Sequence, residues 1–176
     1  WVELFLIGSD FRELSSTNYA GLYVLEERVK AGDERVPIDD IVSPADTTQP
    51  ALSGSYLFKA DRLDPDEYGW RTTRKYPSTS DRYMVMAYPK AADLQPEQRD
   101  YLVTYFNTFE DILFGSDPMN PQTGVSQYVD LPSWIDFHIC KMFSMDVDMF
   151  TLSTWFHKDR SGKVMAGLVW DFDRSL

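Results

Sequence analysis

The sequence predicts an α+β domain, and three patterns along the chain indicate this class. The first half alternates apolar and polar residues in short runs, which is the period of β-strands. The second half carries two longer stretches with apolar residues three and four positions apart, which is the period of helices. The C-terminal stretch returns to two short apolar runs separated by turn residues, which predicts a β-hairpin. Because strands and helices occupy separate regions of the chain, the class is α+β rather than alternating α/β.

Four strands are predicted in the first half, at residues 2–6, 22–25, 55–60 and 82–88. The first has alternating apolar residues, the second is a short apolar run, and a polar loop lies between them, which is typical of neighbouring antiparallel strands. Residues 31–53 contain Gly32, Pro37, Pro44 and Pro50, and this composition favours an irregular connection. We therefore expect an antiparallel sheet with long loops.

Two helices are predicted in the second half. Pro96 suits the first turn of one helix and Gly115 suits its end. Its predicted apolar face consists of Tyr101, Leu102, Tyr105, Phe106, Phe109, Ile112 and Leu113. The other helix is predicted to begin at Pro132 and to lead to Asp146 and Asp148. Its predicted apolar face consists of Trp134, Ile135, His138, Ile139, Met142 and Phe143.

The C-terminal hairpin is predicted from the runs 150–157 and 163–170, with the turn residues Asp159-Arg160-Ser161-Gly162 between them. Such a hairpin brings Asp146 and Asp148 close to Asp171 and Asp173. Two like charges about 4 Å apart repel by roughly 4 kcal/mol at an effective dielectric constant of about 20. The cluster therefore needs protons, basic partners or a divalent cation, and carboxylates suit Mg²⁺ or Mn²⁺. The alternative is that these acids only occupy turns and strand ends.

Composition limits the classes of protein that fit. With 176 residues, 43% hydrophobic and 15% aromatic, the chain has the composition of one folded domain, 1–176. Within it, residues 1–90 are predicted to be rich in sheet, and residues 91–176 to hold the helices and the hairpin. The net charge of −11 argues against a nucleic-acid or anionic-membrane surface.

The next features concern membrane spans, disulfides and the two ends of the chain. No apolar run is long enough to span a bilayer, and a single cysteine, Cys140, excludes intrachain disulfides. The chain opens on Trp1 within a strand-like alternation and stops three residues after Asp173. We expect it to be a piece of a longer protein.

Short sequence motifs are found over most of the chain. In the C-terminal third they are Ser133-Trp134-Ile135-Asp136-Phe137, Val147-Asp148, Leu152-Ser153-Thr154, Lys158, Gly162-Lys163 and Trp170-Asp171-Phe172-Asp173. Upstream they are Val2-Glu3-Leu4-Phe5-Leu6, Tyr19-Ala20-Gly21-Leu22-Tyr23-Val24-Leu25 with Glu27, Tyr56-Leu57-Phe58-Lys59-Ala60-Asp61-Arg62, and Tyr88-Pro89-Lys90. Together they resemble the CotH kinase family, the spore coat protein H family of atypical protein kinases.

The resemblance implies a kinase-like, two-lobed fold that transfers the γ-phosphoryl group of ATP to Ser or Thr hydroxyls of a protein, with Mg²⁺ or Mn²⁺. Asp148 matches the family's catalytic aspartate, and Asp171 matches its metal-binding aspartate. Phosphoryl transfer needs carboxylates to hold metal on the phosphates and to orient the attacking hydroxyl, so the two roles are chemically consistent. The resemblance also implies a secreted or cell-surface location.

Further site residues are expected around this pair. Lys59 and the Glu27-Arg28 pair are expected to lie on the sheet and form a candidate clamp for the phosphates, since a basic group held by an acid binds phosphate well. Trp170 is a candidate for stacking on adenine, and Asp146 and Asp173 are candidate additional metal ligands. Each has a plain structural alternative: Lys59 as a solvated lysine, Trp170 as a core residue, and Asp173 as a partner of Arg174.

The chain departs from the family pattern at two places, both close to Asp148. Asp146 stands where the family usually has Asn, and Lys141-Met142 stands where the preceding helix usually has Asn-Glu. These departures leave two alternatives to a kinase open. One is a non-catalytic binding or structural module, and the other is hydrolysis of a phosphoester with water as the acceptor.

Overall fold

The computed structural model describes residues 1–9, 13–38, 44–74, 83–149, 151–172 and 174–175. Within them the helices are α1 (Pro96–Leu113) and α2 (Leu131–Phe143). The strands are β1 (Val2–Phe5), β2 (Tyr19–Tyr23), β3 (Tyr56–Asp61), β4 (Gly69–Trp70), β5 (Tyr83–Tyr88), β6 (Thr154–Lys158) and β7 (Val164–Ala166). With two helices and antiparallel sheets, the described residues confirm the predicted α+β class.

The main sheet has five strands in the order β4-β5-β3-β6-β7, and its pairs are all antiparallel. The predicted C-terminal hairpin is confirmed as β6 and β7, with Gly162 N–H bonded to the carbonyl of Asp159 at 3.0 Å in the turn. This hairpin belongs to the same sheet as the first-half strands, because β6 pairs directly with β3. The two sequence halves therefore share one sheet.

The first two strands form a separate two-stranded sheet. Val2 is paired with Tyr23 and Leu4 with Gly21, which confirms the predicted antiparallel pairing. The second strand covers Tyr19–Tyr23 instead of the predicted 22–25. Leu4 and Leu22 are both exposed, so this small sheet has apolar side chains facing solvent.

The core lies between one face of the main sheet and the two helices. Its buried members include Tyr56, Phe58, Trp70, Met86, Leu102, Phe106, Phe109, Phe137 and Phe156. Phe58 contacts Phe106 edge-on, with ring centroids 5.4 Å apart, and stacks on Phe156 at 5.8 Å. Side chains alternate across a strand, so Leu57 faces the other side of the sheet, where it packs with Val36 and Trp155.

Helix α1 follows its prediction closely. It begins at Pro96, and the side-chain oxygen of Gln98 accepts a hydrogen bond from the Gln95 N–H at 2.9 Å. It ends at Leu113, two residues before Gly115. No helix in the described ranges is long and apolar enough to cross a membrane.

The predicted apolar face of α2 was wrong for all of its residues except Trp134. The buried side chains of this helix are Phe137 and Lys141, and Trp134 is partly buried. The predicted face residues Ile135, Ile139, Met142 and Phe143 are 52% to 87% exposed. Apolar residues lie on two sides of this helix, and the side that faces the core includes Lys141. Because a sequence pattern assigns lysine to the surface, it predicts the other side as the buried one.

One basic side chain is buried under α1. The Lys158 ammonium donates to the carbonyls of Ser53 at 2.5 Å and Asp159 at 3.3 Å, and it lies 5.1 Å from the ring centroid of Tyr105. Burial lowers the pKa of Lys158 to about 8, against the smaller raising effect of the nearby Asp159 charge. The ammonium thus fixes the β6–β7 turn to the segment that precedes β3.

Candidate functional site

The two acidic segments predicted to meet do lie against each other. The guanidinium Nη1 of Arg174 is 3.5 Å from Oδ2 of Asp148. Arg174 follows Asp171 by three residues, so this ion pair joins the segment after α2 to the segment after β7. The proximity expected from the hairpin is therefore present in the structure.

A tight turn after α2 positions the first segment. The chain leaves the helix at Phe143, and Met145 adopts a left-handed conformation with φ of 50°. The N–H of Asp146 then bonds back to the carbonyl of Lys141 at 3.3 Å. This reversal places the Asp146 side chain beneath the last turn of the helix, where it is 4% exposed as a residue.

The Asp146 carboxylate is occupied by groups of the chain itself. Its Oδ2 forms a buried ion pair with the ammonium of Lys141, whose side chain is 0% exposed. Its Oδ1 accepts the N–H of Asp148 at 3.1 Å. A metal ion bound to Asp146, as predicted, would lie beside this ammonium.

The Lys141 ammonium also contacts two aromatic rings. It lies 4.2 Å from the ring centroid of Phe172 and 5.4 Å from that of Phe137. A cation over a ring face is attracted by the ring's quadrupole, and more strongly where water is excluded. Since Phe172 directly follows Asp171, the same ammonium contacts both acidic segments.

Asp148 and Asp171 remain accessible. The Asp148 side chain is 27% exposed, and its Arg174 partner is 64% exposed. Asp171 is exposed, has a φ of 57°, and its Oδ2 accepts a hydrogen bond from the Ser153 hydroxyl at 2.8 Å. A ligand is therefore able to reach both carboxylates.

Metal ligation was predicted for Asp146, Asp171 and Asp173. Among the residues that the structure describes, no group of three or more His, Cys, Asp or Glu side chains is arranged to hold a metal ion. Asp173 lies outside the described residues. Mg²⁺ keeps several waters and commonly uses one or two carboxylates together with substrate phosphates. The exposed carboxylate of Asp171 fits a site of this kind, in which the protein supplies few ligands and the substrate supplies phosphate oxygens.

Trp170 lies beside the face of the main sheet opposite α1. Its ring packs edge-on against Trp155, with centroids 6.4 Å apart. The indole N–H of Trp155 is buried and has no hydrogen-bond partner within the described ranges. Stacking of Trp170 on adenine stays a prediction.

Lys59 lies on this same face, next to Trp155 across the β3–β6 pair. Its ammonium is 3.2 Å from Asp61 Oδ2 and 3.6 Å from Glu67 Oε1. The predicted arrangement of Glu27 and Arg28 on the sheet was wrong, because β2 ends at Tyr23 and both residues are exposed beyond it.

Glu27 pairs with Arg35, so a different acid from the predicted one holds Lys59. The signal for Asp61 was present in the sequence, since residues two apart on a strand point to the same face.

Sequence reasoning missed four residues that shape this site: Lys141, Ser153, Trp155 and Arg174. Arg174 was considered only as a partner of Asp173. Lys141 was noted as a departure from the family pattern, as was Asp146. The structure shows that these two departures form one ion pair, which a linear pattern does not reveal.

Comparison with known proteins gives one family. The family model described as CotH kinase protein matches residues 1–176, which is the whole chain. A search of curated proteins found no match, and neither did a search of solved structures.

Proposed function

The chain belongs to the CotH kinase family, and from this premise we propose that it transfers the γ-phosphoryl group of ATP to Ser or Thr hydroxyls of a protein, with Mg²⁺ or Mn²⁺. The observation that carries the proposal is the contact between Asp148 and Arg174, because it sets the proposed catalytic segment beside the proposed metal segment. Both acids are accessible there, as a reaction with two large substrates requires.

Asp148 is proposed to accept a hydrogen bond from the attacking hydroxyl and then its proton. Asp171 is proposed to bind the metal ion, which supplies positive charge to the phosphate oxygens when it is bound. Ser153 donates to one oxygen of Asp171 and so orients that carboxylate. Catalysis of phosphoryl transfer consists mainly of such positioning and charge stabilisation.

The nucleotide is proposed to lie along the sheet face that carries Lys59 and Trp170. Lys59 is already oriented by Asp61 and Glu67, so its ammonium needs little reorganisation to meet a phosphate. With a net charge of −11, the chain repels a polyphosphate at long range. The metal ion and local basic groups must offset this repulsion at the site.

The test is a transfer assay on the full-length protein with ATP labelled at the γ-phosphate, Mn²⁺ or Mg²⁺, and an acceptor protein. Asp148→Asn is expected to lower turnover about 100-fold or more, as loss of a catalytic base does. Asp171→Asn is expected to remove metal-dependent activity, and Asp100→Asn on the exposed side of α1 serves as the control. Full activity in both site variants contradicts the proposal, and release of free phosphate alone supports hydrolysis instead.

A second candidate is a non-catalytic binding module, and the Lys141–Asp146 pair favours it. This pair occupies a carboxylate next to Asp148 that was expected to be open to metal. Calorimetric titration of the full-length protein with Mg·ATP tests whether the module is purely structural, and the transfer assay tests whether it is catalytic. Tight uptake that depends on Asp171 contradicts a purely structural role. A secreted or cell-surface location belongs to the proposal in either case, and fractionation of the cells that produce the protein tests it.

A further inference from the structure

Lys141 is a cation enclosed by the protein beside the proposed catalytic segment. Its side chain is 0% exposed and that of Asp146 is 1% exposed. Burying two charges costs desolvation energy on both, and removal of either partner leaves the other uncompensated. Such a pair therefore fixes the geometry of whatever it joins.

The ammonium joins three regions of the molecule. It is carried by the last turn of α2, it binds the Asp146 carboxylate, and it lies 4.2 Å from the Phe172 ring centroid. The Asp146 carboxylate in turn accepts the N–H of Asp148 at 3.1 Å. The Lys141 ammonium thus sets the positions of both the Asp148 backbone and the Phe172 side chain.

A divalent cation bound at Asp146 as well would have to lie next to this ammonium. Like charges at contact distance repel, and the enclosure excludes the water that would screen them. Among the described residues, the exposed carboxylate of Asp171 contacts a neutral group instead, the hydroxyl of Ser153.

We infer that Lys141 is a built-in cation and positioning residue, which takes the place of a metal ion at Asp146 and leaves the site with one divalent cation, at Asp171. The inference rests on the proposed function and specifies its metal requirement. Through these contacts Lys141 holds the Asp148 turn against the Phe172 segment.

The test counts Mn²⁺ ions by electron paramagnetic resonance, with the full-length protein in excess over a non-hydrolysable ATP analogue. The variants are Lys141→Met, Asp146→Asn and the double variant Lys141→Met/Asp146→Asn, which has the same net charge as the native chain. The native chain is expected to bind one Mn²⁺ per nucleotide. Lys141→Met is expected to bind a second ion at the uncovered Asp146 carboxylate, and the double variant to return to one.

The double variant also keeps the test usable if Lys141→Met does not fold. Its turnover is expected to fall by about 10-fold to 100-fold, the range seen when residues that support a metal site are lost, with the KM for ATP little changed. A purely structural pair would lower the unfolding temperature and leave the turnover of the folded fraction unchanged, which overturns the inference.

Two ions in the native chain that fall to one in the double variant identify Asp146 as a metal ligand. That result overturns the inference and leaves the proposed function standing. If no Mn²⁺ is bound to the protein, so that the spectrum stays that of the free Mn·nucleotide complex, the proposed function is overturned, and the inference with it.

Discussion

The Ser153 hydroxyl donates a 2.8 Å hydrogen bond to Oδ2 of Asp171, and both residues adopt left-handed backbone conformations, with φ of 49° and 57°. Such conformations are uncommon for residues other than glycine and tend to occur where function requires them. Here they bring a hydroxyl just before β6 to a carboxylate just after β7. The orientation of the proposed metal ligand thus depends on a residue 18 positions away.

Ser153→Ala is expected to weaken the binding of Mn·ATP about tenfold, because Asp171 loses the group that orients it. The free energy of unfolding should change by no more than about 1 kcal/mol, since the bond is exposed to solvent. Isothermal titration and urea unfolding measure the two effects. Ser161→Ala is the matched control, because Ser161 also has a positive φ, of 55°, but lies in the β6–β7 turn. Equal binding by the two variants contradicts the role given to Ser153.

Phe172→Leu is expected to lower the free energy of unfolding by about 1–2 kcal/mol. The ring lies 4.2 Å from the buried Lys141 ammonium, and a desolvated cation–π contact contributes about 2 kcal/mol. Phe143→Leu provides the comparison, since Phe143 is 87% exposed and should change stability by less than about 0.5 kcal/mol. Denaturant unfolding measures both variants, and a loss of the same size in each shows that the Phe172 contact contributes nothing.

The orientation of α2 predicts that two of its apolar residues contribute very differently to the free energy of unfolding. Phe137→Ala should cost about 3–5 kcal/mol, because Phe137 is 6% exposed and belongs to the core. Ile139→Ala should cost less than about 1 kcal/mol, because Ile139 is 59% exposed. Thermal unfolding of the two variants measures the difference. A larger loss of stability for Ile139→Ala would support the apolar face that was predicted from the sequence.

The buried Lys158 predicts a rise in stability through mildly alkaline pH. Between about pH 8, the folded pKa of Lys158, and its ordinary value of 10.5, the unfolded chain binds the proton that the folded chain has released. The free energy of unfolding therefore increases with pH in this window.

Above about pH 10, the ordinary pKa of tyrosine, the buried tyrosines act in the opposite direction. Burial raises the pKa of Tyr101 to about 12, so the unfolded chain ionises first. Urea unfolding from about pH 7 to about pH 11 should thus show a maximum near pH 10. Lys158→Met removes the rising limb by removing the group. An unchanged profile in that variant excludes Lys158 as its cause.

The fold was predictable where local pattern and burial agree. Helix α1 places Leu102, Phe106 and Phe109 in the core, as their spacing indicated. Helix α2 was predictable in extent but not in orientation, because its inward face includes Lys141. The strand β2 also lies earlier than expected, and Glu27 and Arg28 lie beyond its end.

The site was only partly predictable, for a similar reason. Turn chemistry in the C-terminal hairpin was enough to predict that the segments of Asp148 and Asp171 approach each other, and the Arg174 ion pair confirms their proximity. The partners of those acids depend on side-chain geometry between segments distant in sequence. Ser153 belongs to one of the sequence motifs and Lys141 to a departure from the family pattern, but neither pattern indicates a side-chain contact. Their contacts became visible only in three dimensions.

The pairing of β3 with β6 has a consequence for biosynthesis, because its register joins Tyr56 to Lys158. While the ribosome is still making the intervening chain, β3 has one edge open and the phenylalanine of its inner face, Phe58, lacks its partner Phe156. Such long-range pairing slows folding and exposes unpaired strand edges to other chains. We expect the nascent chain to depend on chaperones until the last hairpin emerges, and truncation before β6 to yield aggregates.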